Sequence, residues 1–192
     1  MANRHGSPFE HAALTVRVNV PIFVWREWHR HRIGWSYNEE SGRYKKLEPV
    51  FYVPRDSERV AHCIKDGSFN PRTPSYRYFE GLTPADNESH NDKLIKLYTD
   101  AYSLYEERLA AGMDNGLARD CLPVGIYSSC YCTCNPRSIM NFLSLRVDYE
   151  DSRFPSYPLW EMHKIASQLE KVFSALWPLT YSAFLKNGRV AP

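Results

Sequence analysis

In two segments of this chain a strand-like alternation gives way, at a proline, to a helical repeat. Leu14, Val16, Val18 and Val20 alternate with Thr15, Arg17 and Asn19, so an extended chain here has one apolar face and one polar face, as a half-buried strand does. Pro21 ends that strand, and its fixed φ suits the first turn of a helix. Ile22, Val24, Trp25 and Trp28 then carry a helix to about Arg32. The second segment is a strand over Val124–Thr133 that sets Ile126, Ser128, Cys130, Cys132 and Cys134 on one side. Asn135–Pro136 follows it, a cap residue and then a proline in the first turn, and Ile139, Met140, Phe142, Leu143 and Val147 continue as a helix.

The remaining pattern is mostly helical. A polar loop spans Gly34–Lys46, a short strand covers Val50–Val53, and residues 55–87, with Pro71, Pro74 and Pro84, read as a variable surface excursion. Helical spacing returns from Glu88 to a stop at Gly112, in a short helix over Leu117–Leu122, in a long one over Leu159–Trp177, and in a last one from Pro178 to Gly188. Strands mixed with longer helices in 192 residues suggest a single domain over 1–192 of α/β or α+β class.

Composition excludes several classes. The formal net charge of +2 provides no global field toward nucleic acid or an anionic membrane, so an anion site has to come from local clustering. Cys63, Cys121, Cys130, Cys132 and Cys134 are odd in number, and the last three alternate, unlike a secreted disulfide framework. The expected setting is reducing and cytoplasmic, with no signal peptide in the polar MANRHGSPFEH start and no apolar run long enough for a membrane span.

Residues 25–46, WREWHRHRIGWSYNEESGRYKK, hold the densest chemistry. Arg26, Arg30, Arg32 and Arg43 could clamp a phosphate, because a guanidinium fork matches its oxygens in pairs. Ser41 and Gly42 add a hydroxyl and an approachable N–H, and Trp28, Trp35, Tyr37 and Tyr44 add rings. The same residues could equally be a solvated face neutralised by Glu27, Glu39 and Glu40. Adjacent cations at Arg30–His31–Arg32 repel one another, which a multiply charged anion would relieve. A single-strand nucleic-acid surface is a third reading, opposed by the low net charge and the interleaved glutamates. His29 and His31 lack an acidic partner at zinc-motif spacing, and the three alternating thiols lack a C-x-x-C pair, so no metal is expected. His5, His11, Arg119 and Arg146 are unremarkable one by one.

Together these residues resemble a family. RHRIGWSYNEESGRY is similar to the R-H-R…S signature of flavin-dependent thymidylate synthases, and SPFEH at 7–11, ARDCLP at 118–123 and NPRSIMNFLSLR at 135–146 resemble three further blocks of that family in the same order. The resemblance implies reductive methylation of dUMP to dTMP, with FAD as hydride carrier, methylenetetrahydrofolate as carbon donor, NADPH as reductant and no cysteine nucleophile. The flavin supplies the difficult chemistry, and the protein binds, orients and polarises. It implies a central, largely antiparallel twisted sheet flanked by helices, and a homotetramer with shared active sites in a bacterial or phage-encoded protein.

By matched position, the resemblance assigns His5, Ser7, Arg30, His31, Arg32, Glu39, Asn135, Arg137 and Asn141 to FAD. It assigns Glu27, Trp28, His29, Arg30, Glu39, Glu40, Ser41, Gly42, Arg43, Arg119 and Arg146 to dUMP, some through backbone groups. Arg146 is the expected catalytic residue, set against the uracil edge, where a guanidinium favours ionisation at N3 and pushes electron density toward C5. Two departures stand out. Eight residues rather than seven separate Arg32 from Ser41, which places an insertion near Gly34–Trp35. The chain also starts almost at SPFEH, where the family usually has several tens of residues more, so a shortened relative that binds FAD and dUMP with little turnover is the alternative.

Overall fold

The computed structural model describes residues 1, 3–54 and 84–192. Its elements in chain order are β1 (Leu14–Pro21), α1 (Ile22–Trp28), β2 (Trp35–Glu39), α2 (Pro84–Ala110), α3 (Asn115–Ala118), β3 (Tyr127–Cys134), α4 (Pro136–Arg146), α5 (Trp160–Leu176) and α6 (Pro178–Lys186), with 3-10 turns at Ser7–Phe9 and Arg119–Cys121. Most of the excursion expected over 55–87 lies outside the described residues. The chain divides into two compact units, Met1–Glu39 with Ser129–Pro192, and Glu40–Ser128.

The first unit is built on a sheet in the order β1-β3-β2. Strands β2 and β3 are antiparallel, with Trp35 opposite Cys134, Tyr37 opposite Cys132 and Glu39 opposite Cys130. The alternation in β1 survives as alternating burial that ends on buried Val18 and Val20. Cys130, Cys132 and Cys134 are buried in the same core as Val24, Trp25 and Trp28 of α1, Ile139, Met140, Phe142 and Leu143 of α4, and Met162, Ala166 and Phe173 of α5. Asn135 caps α4 as its sequence indicates, its side-chain oxygen accepting the Ser138 N–H at 2.9 Å. This arrangement agrees with a mixed fold carrying an antiparallel sheet.

Two expectations fail between residues 28 and 40. The first helix stops at Trp28 instead of reaching Arg32. Beyond it the backbone tightens, with Arg30 N–H donating to the Glu27 carbonyl at 3.3 Å and His31 N–H to the Trp28 carbonyl at 3.0 Å. The Tyr37 hydroxyl donates to the His31 carbonyl at 2.6 Å and lies 3.4 Å from that of Trp28, so a side chain supplies hydrogen bonds that further helix would otherwise provide. Arg30–His31–Arg32 therefore sits in a turn. The expected loop over Gly34–Lys46 begins as strand β2. A tight turn leads into it: Trp35 N–H donates to the Arg32 carbonyl at 3.2 Å, and Gly34 adopts φ +69°, the sign required at the third position of a type II turn.

In the second unit, α2 ends in a Schellman arrangement. Met113 N–H donates to the Arg108 carbonyl and Gly112 N–H to that of Leu109, both at 3.0 Å, with Gly112 at φ +82°. Tyr105 and Tyr102 of α2 bind the Leu47 N–H and carbonyl, at 3.1 and 2.9 Å. The strand expected at Val50–Val53 shrinks to a single bridge between Phe51 and Ile126, because Val50 N–H already turns back to the Glu48 carbonyl at 2.8 Å. The helix expected over Leu117–Leu122 divides into α3, capped by Asp114, and the turn Arg119–Cys121.

A β-carbon on Gly34 would lie 2.2 Å from the Ser138 hydroxyl oxygen, whereas one on Gly112 meets nothing within 4 Å. Both positions have positive φ, so Gly112→Ala isolates the backbone cost of about 1–2 kcal/mol. Gly34→Ala is expected to cost clearly more than Gly112→Ala in urea unfolding; equal losses would show that the Ser138 contact is immaterial.

Candidate functional site

The R-H-R turn follows α1, and Arg146 is the last residue of α4. The two meet on one guanidinium. Arg146 Nε donates to His31 Nε2 at 2.9 Å, Nη1 pairs with Glu27 Oε2 at 2.9 Å, and Nη2 lies 3.4 Å from the Glu27 carbonyl. His31 packs edge-on against Phe142, at 4.8 Å between ring centres. Burial and then the Arg146 charge push the His31 imidazole down to about 4, so it stays neutral and accepts the arginine's hydrogen bond. His29 faces elsewhere, stacked on Trp25 at 5.2 Å and edge-on to Tyr37 at 4.8 Å.

Around this centre the expected residues divide by availability. Arg30 and Arg32 are exposed, and among the described residues neither guanidinium has an acidic partner. The expected neutralisation of the basic cluster is thus only partial: Glu27 is taken by Arg146, and Glu40 pairs with Lys45. Trp28 is fully buried, so only its backbone can meet a ligand. At the other end of α4, Arg137 Nε donates to the Pro192 carbonyl at 3.0 Å, and the same guanidinium pairs with Glu10. It lies against Gly6, where a β-carbon would come within 2.5 Å of Arg137 Cζ. Gly6 thus sits against the Arg137 guanidinium, and its neighbours His5 and Ser7 are exposed. Asn141 lies one turn beyond Arg137 and is exposed, as is Glu39 at the end of β2.

Ser41, Gly42, Arg43 and Arg119 belong to the second unit. The Ser41 hydroxyl accepts the Arg43 N–H at 3.3 Å, and Tyr44 N–H closes the turn on the Ser41 carbonyl at 3.1 Å. Gly42 is buried against Leu47. Arg43 is exposed with its guanidinium over the Tyr44 ring at 5.8 Å, and its carbonyl accepts the Asn115 amide at 3.3 Å. Arg119 caps α3 through its backbone N–H.

In the sequence Tyr37 is only a ring near charge and Ser138 carries no signal, yet the Ser138 hydroxyl donates to the Ile33 carbonyl at 2.8 Å. Both hold the R-H-R turn from outside. The alternation Trp35-Ser36-Tyr37-Asn38 was the available signal for Tyr37. At the three buried cysteines of β3 the protonated thiol is favoured. Burial raises Cys132 well above the thiol range and Cys134 to about 12, while the Cys121 thiol points at the Ala118 carbonyl, 3.3 Å away.

The family model described as thymidylate synthase complementing protein matches residues 1–179. The chain is 49% identical over 192 residues to a flavin-dependent thymidylate synthase of Streptomyces avermitilis, covering all of this chain and 75% of that one. It is 44% identical over 195 residues to one of Tropheryma whipplei, again covering all of this chain and 76% of the relative. Among solved structures, a UMP/dUMP methylase PolB from Streptomyces cacaoi bound with 5-Br UMP has a TM-score of 0.87 at 39% identity, over 100% of this chain and 81% of that one. The same methylase bound with 5-Br dUMP gives 0.85 at 40%, over 99% and 77%.

Because folding lowers the His31 pKa, the unfolded chain binds more protons between the ordinary value of 6.5 and about 4. Stability is therefore expected to fall as pH drops through that window. His31→Gln should flatten that part of a urea-midpoint profile; an unchanged slope would show that His31 does not titrate there.

Proposed function

This chain belongs to the thymidylate synthase complementing protein family, and we propose on that premise that it converts dUMP to dTMP as a flavin-dependent thymidylate synthase. The observation that carries the reading is the Arg146 guanidinium seated on His31 of the R-H-R turn, which joins two signature blocks 115 residues apart. FAD, methylenetetrahydrofolate and NADPH are the proposed cofactor and co-substrates, the last two on the family resemblance alone. A homotetramer with shared sites is proposed on the same ground.

The residues present suit a flavin dinucleotide. Its pyrophosphate needs cations, and Arg30 and Arg32 are exposed without acidic partners among the described residues. When bound, FAD carries hydride between reductant and product. In this reading Arg30, His31 and Arg32 hold it from the turn, with Glu39, Asn135, Arg137, Asn141, Ser7 and His5 as further contacts. His31 enters as a neutral imidazole, so it can accept or donate one hydrogen bond without adding charge.

For dUMP, the phosphate falls to Arg43, with the Ser41 hydroxyl and the Gly42 and Arg43 backbone around it, and Arg119 and Glu40 complete that set. By matched position in the family, Glu27, Trp28, His29 and Arg30 are proposed contacts of the same nucleotide, Trp28 through its backbone. Arg146 faces the uracil edge. Its charge there lowers the cost of negative charge at N3 and pushes electron density toward C5. Glu27 and His31 already restrict the guanidinium's rotation, so little orientation has to be found at the moment of reaction.

The purified protein is expected to take up FAD, to show flavin absorbance bands, and to form dTMP with NADPH and methylenetetrahydrofolate. Protein that binds neither FAD nor dUMP would overturn the reading; binding of both without turnover would point to a binding protein. Arg43→Ala is expected to weaken dUMP binding by about 1.5–3 kcal/mol in calorimetry, the range for a hydrogen bond to a charged group. Arg146→Ala should lower turnover much more than flavin content, and wild-type turnover in that variant would remove the catalytic role from Arg146.

A further inference from the structure

The last turn of α4, which carries Arg146, is also held by a second arginine. Arg189 is 2% exposed. Its Nη1 pairs with Glu170 of α5, and its Nη2 lies 3.4 Å from the Leu143 carbonyl. Its Cζ lies 4.5 Å from the centre of the Tyr149 ring and 5.1 Å from that of Phe184. Leu143 and Tyr149 stand three residues before and three residues after Arg146, so one side chain bridges the segment on both sides of it. The Leu143 carbonyl also accepts the Val147 N–H at 3.1 Å, the hydrogen bond that closes the helix.

The arrangement is costly. Arg189 has φ +61°, and its Nε is buried without a partner among the described residues. A residue with a β-carbon adopts that conformation only when its surroundings require it. The Tyr181 hydroxyl, 3.0 Å from Glu170 Oε1, holds the carboxylate in place. A cation at this end of α4 also complements the helix dipole.

We infer that Arg189, braced by Glu170, is a positioning residue that sets the direction in which Arg146 is presented. Its link to catalysis rests on the proposed role of Arg146; its link to the geometry of Arg146 does not. Removing Arg189 alone would strand the buried Glu170 carboxylate and risks unfolding. Replacing both members of a buried pair with apolar side chains is often tolerated, so the test is Arg189→Met with Glu170→Met. A milder companion is Tyr149→Leu, at a 38% exposed position.

The readout is the His31 imidazole, followed by NMR pH titration with ring-labelled histidine and all variants loaded with FAD. In the parent protein the His31 pKa should lie below the ordinary imidazole value, through burial and the Arg146 charge. If Arg146 loses its orientation, its charge no longer bears on His31, and the double variant should titrate closer to the ordinary value. Tyr149→Leu should move it less, in the same direction. In parallel, kcat should fall roughly 10- to 100-fold, the scale for a misplaced reacting group, with KM for dUMP changed much less. A folded double variant in which His31 titration and kcat are both unchanged overturns the inference. Should the double variant not fold, an unchanged His31 in Tyr149→Leu overturns it equally. If the parent forms no dTMP while the His31 shifts appear, the proposed function fails and the coupling stands.

Discussion

Trp28 fixes the spacing on which the rest of the first unit depends. Its indole is fully buried and meets Trp25 at 5.5 Å, Trp35 at 6.0 Å and Phe142 at 4.6 Å between ring centres. Those rings come from α1, β2 and α4, the three elements that carry Glu27, Tyr37 and Arg146. An aromatic cluster of this kind is rigid, because each ring has few torsions and large contact area. It lets a carboxylate on one helix and a guanidinium on another meet at 2.9 Å. The buried Trp28 Nε1 has no partner among the described residues, a desolvation cost of about 1–3 kcal/mol that the packing has to offset.

The guanidiniums fall into two kinds. Arg146 and Arg137 already have partners, while Arg30, Arg32 and Arg43 have no acidic partner among the described residues. An anion reaching a free guanidinium gains a charge-assisted bond outright. At an engaged one it must replace what is there, and exposure decides how hard that is. The side chains of Arg137 and Glu10 are 41% and 40% exposed, so their pair is worth about 0–1 kcal/mol and yields readily. Arg146 and Glu27 are 19% and 32% exposed, and that pair is better shielded. Arg146 is thus suited to holding a geometry, and Arg30, Arg32 and Arg43 to capturing charge.

What the sequence could disclose follows the range of each interaction. Strand β1, the Asn135 cap, α5 and the row of cysteines were legible because each is set by neighbours within a few residues. The end of α1 was not: Trp25, Trp28, His29 and Arg32 continue a helical pattern, and the chain turns because Tyr37 and Ser138 bind its carbonyls from elsewhere. Strand β2 was misread because Ser36, Asn38 and Glu39 give it a loop's composition, although Trp35 and Tyr37 keep the two-residue period. The Glu27–Arg146 and Glu170–Arg189 pairs join residues 119 and 19 positions apart, and no spacing rule reaches them.

Those two pairs have a common cause. Arg146 ends α4, and Arg189 reaches back to the Leu143 carbonyl of its last turn. Each cation is favourable there, since the C-terminus of a helix carries partial negative charge. Two of them at one end repel, and the repulsion is stronger where water is excluded. Each cation accordingly has its own carboxylate from a different helix, Glu27 of α1 and Glu170 of α5. The Glu170 pair is sealed in the core, where breaking it would leave a buried charge alone. The Glu27 pair is only partly shielded, and with His31 it holds the Arg146 guanidinium in one orientation. One end of α4 therefore combines a brace sealed in the core with an oriented cation nearer the surface, and burial decides which is which.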